Sequence, residues 1–134
     1  MNAGKAFIDT NVLLYLASDD AAKADRAEDI LRGGGTISVQ VLNEFVSVAL
    51  RKTALALPDI RDMLAVVRSF CGVVPLDIET HDLALDICDR YRLSIYDALI
   101  VAAASRCGAT TLWTEDLQHG QAIAGVTIVN PFLA

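Results

Sequence analysis

Acidic side chains set where strands give way to helices are the residues of this sequence with chemistry to offer. From Lys5 to Tyr15, K-A-F-I-D-T-N-V-L-L-Y, an apolar run of Ala6, Phe7 and Ile8 stops at Asp9, and apolar residues resume at Val12 with helical spacing. The pattern predicts a buried strand turning into a helix with a carboxylate at the turn. Asp9, Thr10 or Asn11 could equally cap that helix, since their side-chain oxygens accept from its first free N–H groups. A second junction of the same kind tips the balance. Thr111-Leu112-Trp113-Thr114-Glu115-Asp116 is again an apolar strand ending in a hydroxyl and acids. In a parallel sheet both junctions open onto the same edge, the edge at which open α/β sheets bind ligands.

Two further acids fall within reach of such an edge. Asp97 lies in the first turn of a strongly apolar helix beginning after Ser94, and Ser94-Ile95-Tyr96-Asp97 has the spacing of a capping box. The helix is so apolar that an acid at its head stands beside the sheet. Glu44 lies in Ser38-Val39-Gln40-Val41-Leu42-Asn43-Glu44-Phe45-Val46, where Val41, Phe45 and Val48 mark a buried side and Gln40, Glu44 and Ser47 a neighbouring polar strip. Periodicity alone leaves open whether Glu44 faces solvent or a site.

Several carboxylates without an accompanying histidine or cysteine suit an oxygen-ligated divalent cation, Mg²⁺ or Mn²⁺. Clustered acids repel one another unless a cation sits among them. Such an ion would hold a phosphate, activate water and neutralise charge on a leaving oxygen. His81 and His119 are too few for a zinc cluster, and Cys71, Cys88 and Cys107 are odd in number and far apart, as expected of reduced core thiols.

The elements that must position these acids alternate along the chain. Helices are predicted at 21–32, 39–51, 59–70, 80–91 and 95–107, with Pro58 opening the third and Gly33-Gly34-Gly35 ending the first. Short extended pieces fall at 6–8, 36–38, 72–75, 110–113 and 126–129. The helix over 80–91 turns Glu79, Asp82, Asp86 and Asp89 outward as a solvated face. Strands separated by helices imply parallel pairing, hence a three-layer α/β sandwich with helices on both faces of a mainly parallel sheet. The 134 residues are expected to form a single domain, burying roughly two thirds of the unfolded surface. No apolar run is long enough to span a membrane and no export signal opens the chain, so a cytoplasmic protein is expected. A hydrophobic content of 54% suggests pairing with another chain, and a net charge of −6 means that nucleic acid would need a cation to mediate contact.

Four segments together resemble the PIN-domain ribonucleases, and among them the VapC-type toxins of bacterial toxin–antitoxin modules: F-I-D-T-N-V-L-L-Y at Phe7 to Tyr15, I-S-V-Q-V-L-N-E-F at Ile37 to Phe45, L-S-I-Y-D-A-L-I-V-A-A-A at Leu93 to Ala104, and L-W-T-E-D-L-Q-H-G at Leu112 to Gly120. The resemblance runs nearly end to end with no departure from the acidic pattern. It implies that Asp9, Glu44, Asp97 and Asp116 form a catalytic, metal-binding cluster, with Asn11 and Thr114 as supporting polar residues and Glu115 assisting. It further implies metal-dependent hydrolysis of RNA to a 5′-phosphate and a 3′-hydroxyl, a homodimer, and a cognate antitoxin protein whose tail blocks the acidic groove. Asp9 and Asp97 would hold the principal ion, and Arg90 and Arg92 are candidates for touching RNA phosphates. The rival readings are a PIN nuclease in RNA maturation or on flapped DNA, and a non-catalytic interaction module of the same fold. A haloacid-dehalogenase phosphatase is set aside because Asn11 stands where it needs a second aspartate.

Overall fold

The computed structural model describes residues 5–133, which form one six-stranded sheet with helices packed against it. In chain order the elements are β1 (Ala6–Ile8), α1 (Thr10–Leu14), a 3₁₀ turn (Tyr15–Ala17), α2 (Ala21–Arg32), β2 (Gly35–Ser38), α3 (Val39–Lys52), α4 (Leu57–Phe70), β3 (Cys71–Val74), α5 (Ile78–Tyr91), α6 (Ile95–Arg106), β4 (Thr111–Trp113), β5 (Ala122–Ile123) and β6 (Val126–Val129). The strand order is β3-β2-β1-β4-β6-β5, and every pairing is parallel except that of β5 with β6. The mainly parallel sandwich read from the alternation of elements is what forms. Its one addition is β5, a two-residue antiparallel edge strand too short to leave a periodic signal.

β1 is fully buried because it is central, with β2 on one side and β4 on the other. A strand covered on both faces carries continuous apolar residues rather than alternating ones. The largest buried side chains, Phe7, Ile8, Leu13, Ile37, Phe45, Ile60, Leu112 and Ile128, join both helical layers to the sheet. α6 is buried from Ala98 to Ala104. Its small residues let the backbone approach its neighbours closely, and its heaviest helix contact is with α5. The acidic stripe of α5 is exposed at Glu79, Asp82, Asp86 and Asp89, as a solvated face should be. Cys71 is a buried thiol whose pKa burial pushes up to about 11, and Cys88 and Cys107 are also free. Among the described residues no helix is long and apolar enough to cross a membrane.

Gly35 fixes how closely β2 approaches β1. Its φ is +155°, and a Cβ there would lie 2.8 Å from the Ala6 carbonyl oxygen, which is backbone and cannot swing aside. Gly35→Ala is therefore expected to lower unfolding stability by about 2 to 3 kcal/mol, the scale of a strained backbone position, measured by urea denaturation. An unchanged midpoint would show that the two strands have room to separate.

Candidate metal centre

Parallel pairing brings the two strand-to-acid junctions together. Ile8 is in register with Trp113, and the Asp9 N–H donates to the Trp113 carbonyl at 3.0 Å, so Asp9 and Thr114 end neighbouring strands side by side. Asp9 is both helix cap and site residue. Its Oδ1 accepts from the Thr10 N–H at 2.7 Å, while Oδ2 accepts from the Thr114 hydroxyl at 2.9 Å and the Asn11 amide at 3.1 Å. Thr114 is completely buried beneath this carboxylate and also accepts from the Asp116 N–H at 3.2 Å.

Asn11 ties the junctions across more than a hundred positions of sequence. Its Nδ2 stands 3.0 Å from Thr114 Oγ1 and 3.0 Å from Asp116 Oδ2, besides Asp9 Oδ2. Its Oδ1 accepts from the Glu115 N–H at 3.1 Å, which fixes the orientation of the amide.

Glu44 arrives from α3. Ser38 caps that helix by accepting from the Val41 N–H, and Phe45 and Val41 bury its inner side, leaving Glu44 half-buried on the cleft. The Thr10 hydroxyl donates to Glu44 Oε1 at 2.7 Å, and the Gln40 amide donates to Oε2 at 3.2 Å. The same Gln40 nitrogen lies 3.1 Å from the Tyr96 carbonyl, the residue before Asp97, so one amide links the helices carrying two of the acids. Gln40 is buried, not part of an exposed polar strip, because α6 covers it; its Oε1 has no partner among the described residues.

Asp97 opens α6 with half a capping box. Its N–H donates to Ser94 Oγ at 3.1 Å, whereas no return bond from the Ser94 N–H to its carboxylate occurs among the described residues. The side chain is thus left to the cleft. Asp9, Glu44, Asp97 and Asp116 all line one cavity of about 670 Å³, together with Thr10, Asn11 and Arg51. Glu115 points elsewhere: its carboxylate accepts from the Tyr15 hydroxyl at 2.7 Å and sits 3.9 Å from Lys23 Nζ. Through its own N–H to Asn11 it braces the loop between the junctions. Arg90 and Arg92 lie at the end of α5 and are not on the cavity wall.

The electrostatics follow from this crowding. Burial, reinforced by the charges of Glu44 and Asp116, pushes Asp9 from 3.8 up to about 7, although the bonds from Thr114 and Thr10 pull the other way. Asp97 is also raised, by burial first and then by Asp116 and Glu44. Glu44 and Asp116 are therefore the acids whose charge reaches both. A cation bound in the cleft would favour the ionised form of Asp9 and Asp97, opposing the burial that raises them.

A search of curated proteins finds no match. Against protein families, the PIN domain model matches residues 6–122. The chain belongs to the PIN domain family. Solved structures similar to this PIN domain include a chain of a toxin–antitoxin complex from Klebsiella pneumoniae, at 22% identity and a TM-score of 0.71, covering 95% of this chain and 98% of that one. VapC20 of Mycobacterium tuberculosis, described as a toxin that cleaves the sarcin-ricin loop, is 18% identical with a TM-score of 0.68, over 83% of this chain and 91% of its own. A chain of FitAB bound to a DNA fragment is 16% identical with a TM-score of 0.71, over 96% of each. At these identities the likeness is one of fold.

The donor set of this PIN domain suits a hard cation. All the side-chain oxygens on offer are carboxylate, hydroxyl or amide, without sulfur or imidazole. No three Asp, Glu, His or Cys side chains among the described residues are close enough to ligate one ion directly. Mg²⁺ commonly takes only one or two carboxylates and keeps several waters, so acids spaced around a roomy cleft fit a largely hydrated ion. Three residues that matter here, Thr10, Gln40 and Arg51, were not assigned to the site by pattern. Gln40 and Arg51 could have been found from their spacing to Glu44, four residues before and seven after on one helix.

Proposed function

We propose that the protein is a divalent-metal-dependent endoribonuclease and the toxin of a type II toxin–antitoxin module. The observation that carries this reading is the meeting of Asp9, Glu44, Asp97 and Asp116 in one cleft at the carboxyl edge of the sheet. Membership of the PIN family supports nuclease chemistry. The RNA-cleaving VapC20 and the toxin–antitoxin complexes among the similar folds support the substrate and the setting.

In this reading Asp9 and Asp97 would hold Mg²⁺ or Mn²⁺, with Glu44 and Asp116 in its outer sphere or at a second ion position, and the ion when bound would supply a phosphate anchor, an activated water and charge neutralisation at the leaving oxygen. The chain's own part is positional. Asn11 and Thr114 hold Asp9 and Asp116 in fixed rotamers, Thr10 and Gln40 do the same for Glu44, and Glu115 steadies the loop through Tyr15 and Lys23. The raised pKa of Asp9 makes ion binding release a proton near neutral pH. Exposed apolar side chains, among them Ile78, Leu85, Val66 and Phe70, supply surface for a second copy of the chain and for an antitoxin.

Removal of the metal tests the core of this. Purified protein is expected to cut single-stranded RNA in Mg²⁺ or Mn²⁺, to stop in excess chelator, and to resume when the ion is restored. Cleavage that persists in chelator would remove the acids from the mechanism. Calorimetry that detects no Mn²⁺ binding would favour a non-catalytic module.

A further inference from the structure

The acid cleft does not end at its carboxylates. It shares Asn11, Leu14 and Val48 with a second cavity of about 750 Å³ that continues along the same side of the molecule, between the 3₁₀ turn at Tyr15 and the last turn of α3. Two cations mark the passage. Arg51 stands on the wall of the acid cleft and Lys52 on the wall of the adjoining one. Arg51 follows Glu44 by seven residues, two helical turns and about 10 Å along the axis. The two therefore lie on one face of α3, the acid toward the catalytic end and the cation toward the second cavity.

Neither Arg51 nor Lys52 forms an ion pair among the described residues, although four carboxylates share Arg51's cleft. Lysine and arginine at a helix C-terminus suit the helix dipole, but that preference acts on any side of the helix and does not place them on these walls. The rest of the second cavity is mainly apolar and hydroxylic, with Leu14, Tyr15, Val48 and Leu55 beside Ser18 and Thr53. Two acids also line it: Glu115 is engaged by the Tyr15 hydroxyl and Lys23, and Asp19 is exposed to solvent. A single-stranded nucleic acid needs these two things together: cations along the backbone and apolar walls against which unpaired bases lie. In a chain of net charge −6 such affinity has to be local.

We propose that the adjoining cavity is the seat of the unpaired RNA next to the scissile phosphate, with Arg51 and Lys52 holding the phosphates of that flank. The proposal rests on the ribonuclease reading above and assigns this chain's substrate groove and the direction in which it leaves the acids.

The test is binding of a short fluorescein-labelled single-stranded RNA to Asp97→Asn protein in Mg²⁺, followed by anisotropy across a salt series. Adding Arg51→Gln and Lys52→Gln is expected to weaken binding by about tenfold or more and to make the slope of log K against log salt shallower by about 1.4, two single-strand phosphate contacts' worth. The swap Arg51→Lys with Lys52→Arg keeps the charge and is expected to keep the slope. Equal affinity and slope in the glutamine variant would overturn the proposal, as would a slope lost equally in the swap. Mn²⁺ affinity is expected to hold or tighten, because the glutamine variant takes a positive charge off the wall of the acid cleft, and a fall in it would overturn the proposal by making these residues part of the ion's own site. Cleavage of RNA by the unaltered protein is read separately. Its failure sinks the ribonuclease reading, whereas unchanged binding by the glutamine variant sinks only the groove.

Discussion

Asp9→Asn is expected to abolish RNA cleavage and, in the same protein, to raise the stability of the metal-free fold at pH 8. The first effect comes from removing a carboxylate at the head of the cleft, which weakens ion binding and the neutralisation it provides. Such electrostatic help is worth several kcal/mol, so the rate should fall on the order of a thousandfold. The second effect runs the other way. Burial lifts the Asp9 pKa from 3.8 to about 7, and holding that carboxylate ionised at pH 8 costs about 4 kcal/mol. Asparagine relieves this but turns one acceptor into a donor facing the Asn11 amide, a loss of about 1 to 2 kcal/mol. Relief wins by about 2 kcal/mol, and the melting temperature should rise by several degrees. Asp97→Asn should lose cleavage to the same extent with little change in melting, because that side chain is only half-buried. Both variants, purified alongside the parent, also control for contaminating ribonuclease. A folded variant that cuts at the parental rate would take its acid out of the site.

Stability of the metal-free protein should fall as pH rises from about 4 to about 7, and a divalent ion should reverse that trend. Between these limits folded Asp9 keeps a proton that the unfolded chain has given up, so the folded state binds more protons and loses ground with each step upward. Its contribution is fully present below 3.8 and gone above about 7, a span of about 4 kcal/mol. Asp97, also raised, adds in the same direction. Asp77 has the opposite sign: its bonds to Thr80 and Arg106 lower it to about 2, so what it contributes is lost only as pH falls below 4. The window from 4 to 7 therefore isolates the cleft. Mn²⁺ binds only the ionised acids, so the stability it adds should grow through that window. Urea midpoints with and without Mn²⁺, taken at half-unit steps of pH, would show two curves that diverge upward. Parallel curves would mean that the ion binds somewhere other than these carboxylates.

Much of this site is legible in the sequence because its positions obey local rules. Asp9 and the Thr114 to Asp116 loop each follow a three-residue apolar strand, and parallel pairing of those strands is enough to bring them together. Helix bounds came within two residues for the same reason, their caps being local: Ser38 before α3, Ser94 before α6 and Pro58 inside α4. What stayed hidden depends on a second element. Gln40 has the spacing of a polar strip, and only the approach of α6 turns it into a buried link between Glu44 and the Asp97 helix. Glu115 and Asp116 are neighbours of one type, and the choice between them is made by Tyr15 and Lys23, which engage the first. β5 exists because the turn at Ala124 and Gly125, both at positive φ, folds two residues back onto β6.

The knot of bonds around Asn11 also sets the moment at which the acid cleft of this protein is assembled. Its three oxygen partners include Thr114 and Asp116, 103 and 105 positions further on. A nascent chain on the ribosome has Asp9 and Glu44 well before that partner strand has emerged, and contacts this distant cannot form until it does. Competence is thus withheld until Thr114 and Asp116 are free of the ribosome to meet Asn11.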